Sequence, residues 1–333
     1  MKKTKIIFLV AGLLILYFLF RAFGLEKIVQ HFSEMGWRFG YIVGIHLFSN
    51  IGLAYALRLF IKQPFSGREF VKLVFARIAG GATSSINGVG AFAGEPLKAM
   101  YIKDFVPFNS GLAAVVMDRT VHSISVIFIF LTGIIVGLFM LDIPLYVSLL
   151  SLTWILFVLF LMIILLKKQR DGFMEFLIGK IPKKLREKIM TEKRWETVKE
   201  LDYEISALLS RENRGKFCLS LGLHYFLILI ISTVEIFLIV RFIADVPGFT
   251  PLYAMFVYIF GFILTSAMFF MPANVGTSEG SYSLALMMLG FDPALGLSIG
   301  IIRRFRSFTW AGIGVPFIFY AGLLRKDGDK KKE

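Results

Sequence analysis

The chain has 333 residues, of which 57% are hydrophobic and only 18% charged, with a mean hydropathy of +0.74. A composition this apolar belongs to a chain that lives in a bilayer, and it excludes a water-soluble core enzyme. A single cysteine, Cys218, cannot close an intrachain disulfide, and four histidines spread from His31 to His224 show no metal-ligand spacing, so neither a disulfide framework nor a zinc site organises the fold.

The net charge of +14 is concentrated in a few places. Lys2, Lys3 and Lys5 precede the first apolar run, fourteen Lys/Arg lie between Lys167 and Lys216, and Arg325, Lys326, Lys330, Lys331 and Lys332 close the chain. The segments left for the other side are poor in positive charge: Arg21, Lys27 and Arg38 over 21–38, none over 141–144, and Arg241 over 241–250. By the positive-inside rule the expected protein is multi-pass in the cell membrane with both termini cytoplasmic. Nucleic acid is not expected as a partner, since that role wants aromatics interleaved with basic residues on a folded surface.

Residues 6–20 end in Phe20 and Arg21 without a small-x-small cleavage pattern, which predicts an uncleaved first span. The second span, 39–61, carries His46, Asn50 and a snorkelling Arg58. Residues 73–100 are apolar but broken by glycines, Ser84, Ser85, Asn87 and Pro96, a poor single helix. Spans three and four, 112–141 and 145–166, are joined by Leu141-Asp142-Ile143-Pro144, too short for anything but an antiparallel hairpin. In 167–216, Trp195, Val198, Leu201, Ile205 and Leu208 recur at helical steps. That basic amphipathic segment either lies along anionic inner-leaflet lipids or is a solvated connector. A fifth span, 217–240, holds His224 and Glu235; residues 252–290 run apolar to Met271 and break from Pro272 to Gly280; a sixth span covers 293–324, and 325–333 is expected to be a disordered cytoplasmic tail.

Lipid does not tolerate exposed non-helical backbone, so the breaks in 73–100 and 252–290 read as re-entrant helix hairpins, the alternative being full spans with a surface loop. The order is then span, span, hairpin, span, repeated once, with 1–166 holding the first repeat plus span four and 217–324 the rest of the second. Three crossings per half invert the second half relative to the first. The expected fold is an all-α polytopic membrane protein of six full transmembrane helices plus two re-entrant hairpins in an inverted 3+3 repeat. Spacing agrees: Glu95 stands 24 residues before Arg119 and Glu279 stands 24 before Arg303, and each hairpin has an asparagine-glycine break, at Asn87 and Asn274. Charges at membrane depth are costly and mark function, so Glu95, Arg119, Glu279 and Arg303, with Asn87, Asn274, Lys98 and Asp118, are the candidate substrate-binding residues, converging on one central cavity. Snorkelling from span ends is the alternative for Asp118, Arg119 and the arginines over 303–306. His46 and His224 read as hydrogen-bonded interior residues.

The glycine-rich hairpin ending in Gly94-Glu95-Pro96, the Asp118-Arg119 pair, the break from Pro272 to Gly280 with Glu279, and Arg303 with Trp310 resemble the flippase-like transmembrane region of bacterial lysylphosphatidylglycerol synthases and its stand-alone relatives. The resemblance covers nearly the whole chain. It implies movement of a polar-headed lipid between leaflets, while lysine transfer from tRNA belongs to a separate polar domain of a few hundred residues, so the synthase activity itself is not expected here. The chain departs from the family in lacking a proline before Gly94-Glu95 and in having Lys98 where an arginine is usual, and the headgroup preference therefore does not transfer.

The leading expectation is a lipid translocase in which Arg119 and Arg303 grip the phosphate of a phospholipid or isoprenoid-phosphate headgroup and glycine-rich breaks offer free amides to the same anion. Glu95 and Glu279 then hold the arginines between cycles or carry protons. No Gly-x4-Gly-Lys-Ser/Thr occurs, so transfer runs on a gradient or is passive, and no cofactor is called for. The alternatives are an intramembrane lipid-modifying enzyme and a non-transporting subunit of a lipid or cell-envelope pathway.

Overall fold

The computed structural model of the chain describes residues 25–87, 94–140, 145–182, 190–244, 246–268, 271 and 274–330. The span expected over 6–20, the turn 141–144, the basic residues Lys183, Lys184, Arg186 and Lys188, the glycines following Asn87, and Pro272-Ala273 lie outside them. The described residues hold helices α1 (Leu25–Met35), α2 (Phe39–Arg58), α3 (Gly67–Asn87), α4 (Glu95–Tyr101), α5 (Phe108–Met140), α6 (Leu145–Arg170), α7 (Phe173–Gly179), α8 (Glu192–Leu208), α9 (Arg214–Ile243), α10 (Pro251–Ala267), α11 (Thr277–Met288) and α12 (Pro293–Lys330), and no strand.

Among the described residues, four stretches are long and apolar enough to cross a membrane: Val29–Arg58, Phe108–Met140, Leu152–Arg170 and Arg211–Ile243. The chain is therefore an all-helical membrane protein. Helix α12, where the sixth span is expected, is continuous through Pro316 and carries Arg303, Arg304 and Arg306 in its first half. Within the described residues α3 runs to Asn87 and α4 starts at Glu95 after Gly94, while α10 ends at Ala267 and α11 starts at Thr277.

The chain divides into two compact units, each drawing on both halves of the sequence. The first comprises Met1–Ser49, Ile129–Ser151 and Phe226–Trp310; the second comprises Asn50–Phe128, Leu152–Tyr225 and Ala311–Glu333. Five helices, α2, α5, α6, α9 and α12, contribute a part to each.

In the first unit α10 packs on α11. Thr250 caps α10, its Oγ1 accepting from the Tyr253 amide at 3.4 Å, with Pro251 in the first turn. Asn274 (φ 53°) and Gly276 (φ 76°) take left-handed backbone, so the chain reverses just ahead of α11. Two glycines one helical turn apart let α12 approach: a Cβ on Gly300 would stand 2.8 Å from the Glu279 Cα, and one on Gly296 would overlap the Ser283 backbone. Ile236, Ile239, Val240, Val257, Ile259, Leu297 and Ile299 are fully buried in the same unit.

In the second unit α3 opens on a capping box. The Ser66 amide donates to Glu69 Oε2 at 2.5 Å, and the Glu69 amide donates to Ser66 Oγ at 3.3 Å. Helices α3 and α4 meet at glycine, because any side chain on Gly94 would overlap the Gly80 carbonyl. Helix α8 turns Leu201, Ile205 and Leu208 into the protein, so that part of the apolar stripe is buried against the chain itself. Its acidic face is also engaged: Glu200 accepts from Asn109 at 2.7 Å, Glu204 from Lys62 at 3.2 Å and Ser110 at 3.3 Å, and Asp202 from the Glu175 amide at 2.9 Å.

Candidate functional site

Each unit holds a cluster of charged side chains beside its helical hairpin. In the first unit the centre is Glu235 of α9, fully buried. Its Oε1 lies 2.8 Å from Arg306 Nη1, and its Oε2 lies 3.3 Å from both Arg303 Nη2 and His46 Nε2. Arg303 is stacked between two rings, its guanidinium carbon 5.4 Å from the Tyr258 centroid and 5.3 Å from that of Tyr282. Aromatic faces attract a guanidinium and exclude water from it, so the arginine is held without a carboxylate of its own.

One residue on, Arg304 is fastened to the break before α11 and to that helix's first turn. It donates to Glu279 Oε1 from Nε at 2.8 Å, to the Asn274 carbonyl at 3.1 Å and to Ser278 Oγ at 3.1 Å. Ser278 Oγ in turn donates to Glu279 Oε2 at 2.8 Å, and the Asn274 carbonyl also accepts from Thr277 Oγ1 at 3.0 Å. Glu279 is fully buried, so this bonding replaces the water that the carboxylate lost.

In the second unit the centre is Asp118 of α5. Its Oδ2 lies 3.2 Å from Arg77 Nη1 of α3 and its Oδ1 lies 3.3 Å from His224 Nε2 of α9. His224 Nδ1 lies 2.9 Å from the Ser220 carbonyl, and the His122 ring meets the His224 ring edge-on at 5.8 Å. At the start of α4, Glu95 Oε2 accepts from Lys98 Nζ at 2.8 Å, both groups buried. Arg119 sits within electrostatic reach of Glu95, Asp118 and Arg77.

The sequence-predicted residues thus fall into two sets. Glu95, Lys98, Asp118 and Arg119 belong to the second unit, and Asn274, Glu279 and Arg303 to the first. Glu279 takes Arg304 as its partner, one position past the arginine at the 24-residue spacing, while Arg303 turns to Glu235. Neighbouring helix positions are about 100° apart, and so point at different partners. Asn274 acts through its backbone carbonyl, and Asn87 ends α3 with a side chain outside the described set. Sequence patterning gives Glu235, Arg304 and Arg306 little weight and Arg77, Tyr258 and Tyr282 none, while His46 and His224 are hydrogen-bonded interior residues as expected. The signal that would have found Arg77 and Glu235 is the same for both, an ionisable residue inside an apolar run. Among the described residues no group of three or more His, Cys, Asp or Glu is placed to hold a metal ion.

Before any histidine is counted, each cluster has three fixed cations against two carboxylates. In the first they are Arg303, Arg304 and Arg306 with Glu235 and Glu279; in the second, Arg77, Lys98 and Arg119 with Asp118 and Glu95. Each cluster is one negative charge short of neutrality. An anionic group is the chemistry that completes such a set.

The family model described as the lysylphosphatidylglycerol synthase TM region matches residues 5–314. No curated protein and no solved structure matches the chain.

Proposed function

The chain belongs to the family of lysylphosphatidylglycerol synthase transmembrane regions, and from that premise we propose that it moves a phosphate-bearing lipid between the leaflets of the cell membrane. Family membership supports lipid handling, by modification or by translocation. Translocation is favoured by one observation, the single missing negative charge in each buried cluster. A lipid phosphate diester carries one negative charge and presents two free oxygens to guanidinium groups. Its tails remain in lipid while the headgroup exchanges water for the fixed charges of a cluster.

In this reading the chain has six crossings and two re-entrant hairpins, at 73–100 and 252–290, with both termini and the basic segment 167–216 cytoplasmic. Glycine at each break serves the same end, since it frees backbone amides beside the charges. Transfer is driven by a gradient or runs downhill, and inner-leaflet anionic lipids neighbour the basic segment.

The test is transfer of fluorescent phosphatidylglycerol in proteoliposomes, read as the fraction quenched by an impermeant reductant. Wild-type protein should raise that fraction above the level of empty vesicles, and the Arg119→Ala, Arg303→Ala double variant should not. Full transfer by the double variant, or chemical conversion of the lipid in the same vesicles, would overturn the reading. Cysteines introduced at Ser85 and Thr277 test the topology: the first should label only from the cytoplasmic side and the second only from outside.

A further inference from the structure

Three of the chain's four histidines sit in the charge clusters, and the two that touch carboxylates are placed differently. His224 faces an acceptor at each nitrogen, the Ser220 carbonyl at 2.9 Å from Nδ1 and Asp118 Oδ1 at 3.3 Å from Nε2. His46 is different, because its ring faces groups of opposite kind. Its Nε2 lies 3.3 Å from Glu235 Oε2, which only accepts, and also against Arg306 Nη1, which only donates and lies 3.4 Å from Nδ1 as well.

One nitrogen cannot serve both at once. With its hydrogen on Nδ1, the neutral ring offers the Nε2 lone pair to Arg306. With a proton added at Nε2, the ring donates to Glu235 and repels Arg306, whose other bonds are to Glu235 Oε1 at 2.8 Å and Ser307 Oγ at 3.1 Å. The charged groups facing His46 are Glu235 from α9 and Arg303 and Arg306 from α12. On protonation a single carboxylate must then neutralise three cations around it.

We propose that His46 is a proton-operated switch on Arg306: the proton gained at Nε2 ties the ring to Glu235 and turns the Arg306 guanidinium to a lipid phosphate, so this unit binds a phosphate-bearing lipid together with one proton. The inference rests on the translocation reading above and supplies its coupling ion. Lipid departure returns Arg306 to His46 Nε2 and the proton to water, which makes lipid transfer responsive to a proton gradient.

Calorimetry on the full chain in detergent tests the switch, with dihexanoyl phosphatidylglycerol as probe and two buffers of unlike ionisation enthalpy. Binding should take up about one proton per lipid, and the affinity should fall about tenfold per pH unit once the pH passes the point where the lipid-free ring loses its proton, because the bound state is the more protonated one. His46→Gln should bind with a flat pH profile and no uptake, whereas His31→Gln, whose ring meets Ser298 Oγ at 2.7 Å, should keep the uptake. The wild-type measurement decides even where His46→Gln does not fold. Lipid bound without proton uptake overturns the switch and leaves translocation standing. Absence of lipid binding at every pH, together with absence of transfer in vesicles, overturns both. Inorganic phosphate bound as tightly and with equal uptake overturns the assignment of the anion to a lipid.

Discussion

The two clusters hold equal numbers of basic and acidic side chains and arrange them by different rules. The first concentrates two arginines and a histidine on one carboxylate, Glu235, with Arg303 also held by tyrosine faces. The second keeps its contacts more dispersed, Arg77 and His224 on Asp118 and Lys98 on Glu95. The first three arginines crowd together because one stretch of α12 supplies them all. The second set comes from α3, α4 and α5, so each cation brings its own backbone position. A shared carboxylate makes a cluster fragile to one substitution and responsive to one proton. Dispersed pairs make it robust.

The largest effect should come from Glu235→Gln, which strands two buried arginines at once. Thermal or denaturant unfolding in detergent should show a loss of about 3–5 kcal/mol, partly restored by adding Arg303→Gln. Asp118→Asn, which strands one arginine, should fall at the low end, about 3 kcal/mol. Equal losses at the two positions would break the contrast between a shared and a dispersed cluster.

Next in size is the coupling inside the first unit. A double-mutant cycle between Glu279 and Arg304 should return about 1–3 kcal/mol, and the cycle between Glu279 and Arg303 less than about 0.5 kcal/mol. A larger value for Arg303 would restore the pairing that the 24-residue spacing suggests.

Glycine seats a close helix contact in each unit, so these glycines sharpen the comparison from the other side. Gly296→Ala and Gly94→Ala should each cost about 1–3 kcal/mol in the same unfolding assay, since an added methyl meets fixed backbone at both. Gly81→Ala, with open space around it, should stay within about 0.5 kcal/mol of wild type or gain slightly from helix propensity.

The smallest effect concerns the cap of α3, outside both clusters. The Ser66 amide and hydroxyl hold the exposed Glu69 carboxyl below its ordinary value of 4.5. A depressed carboxylate adds stability that is present above that value and lost as pH falls through the folded one. Ser66→Ala should therefore lower the unfolding midpoint slightly at neutral pH, and the gap should close in acid. A gap that persists there would show that the Ser66 hydroxyl alone accounts for the cap.

Much of the architecture was legible because it follows from solvation. Apolar runs long enough to cross a bilayer form helices there, as α5, α6 and α9 do close to their expected bounds. The breaks after Asn87 and ahead of Thr277 were legible because clustered glycine and proline do not sustain a helix. Glu95, Asp118, Glu279 and Arg303 stood out because an ionised group inside an apolar run is costly to place.

Composition and periodicity determined the solvent, the helices and the residues that carry charge into them. Which charge meets which was decided by the tertiary structure. Glu235 attracts Arg303 because α9 and α12 face each other at that level, and Glu279 attracts Arg304 because Gly300 lets α12 come within reach of α11. His46 stands between a donor and an acceptor only because α2 arrives at the same point. Chain spacing sets a residue's height along its own helix, whereas partnership depends on the rotation and approach of helices distant in sequence, which close packing alone determines.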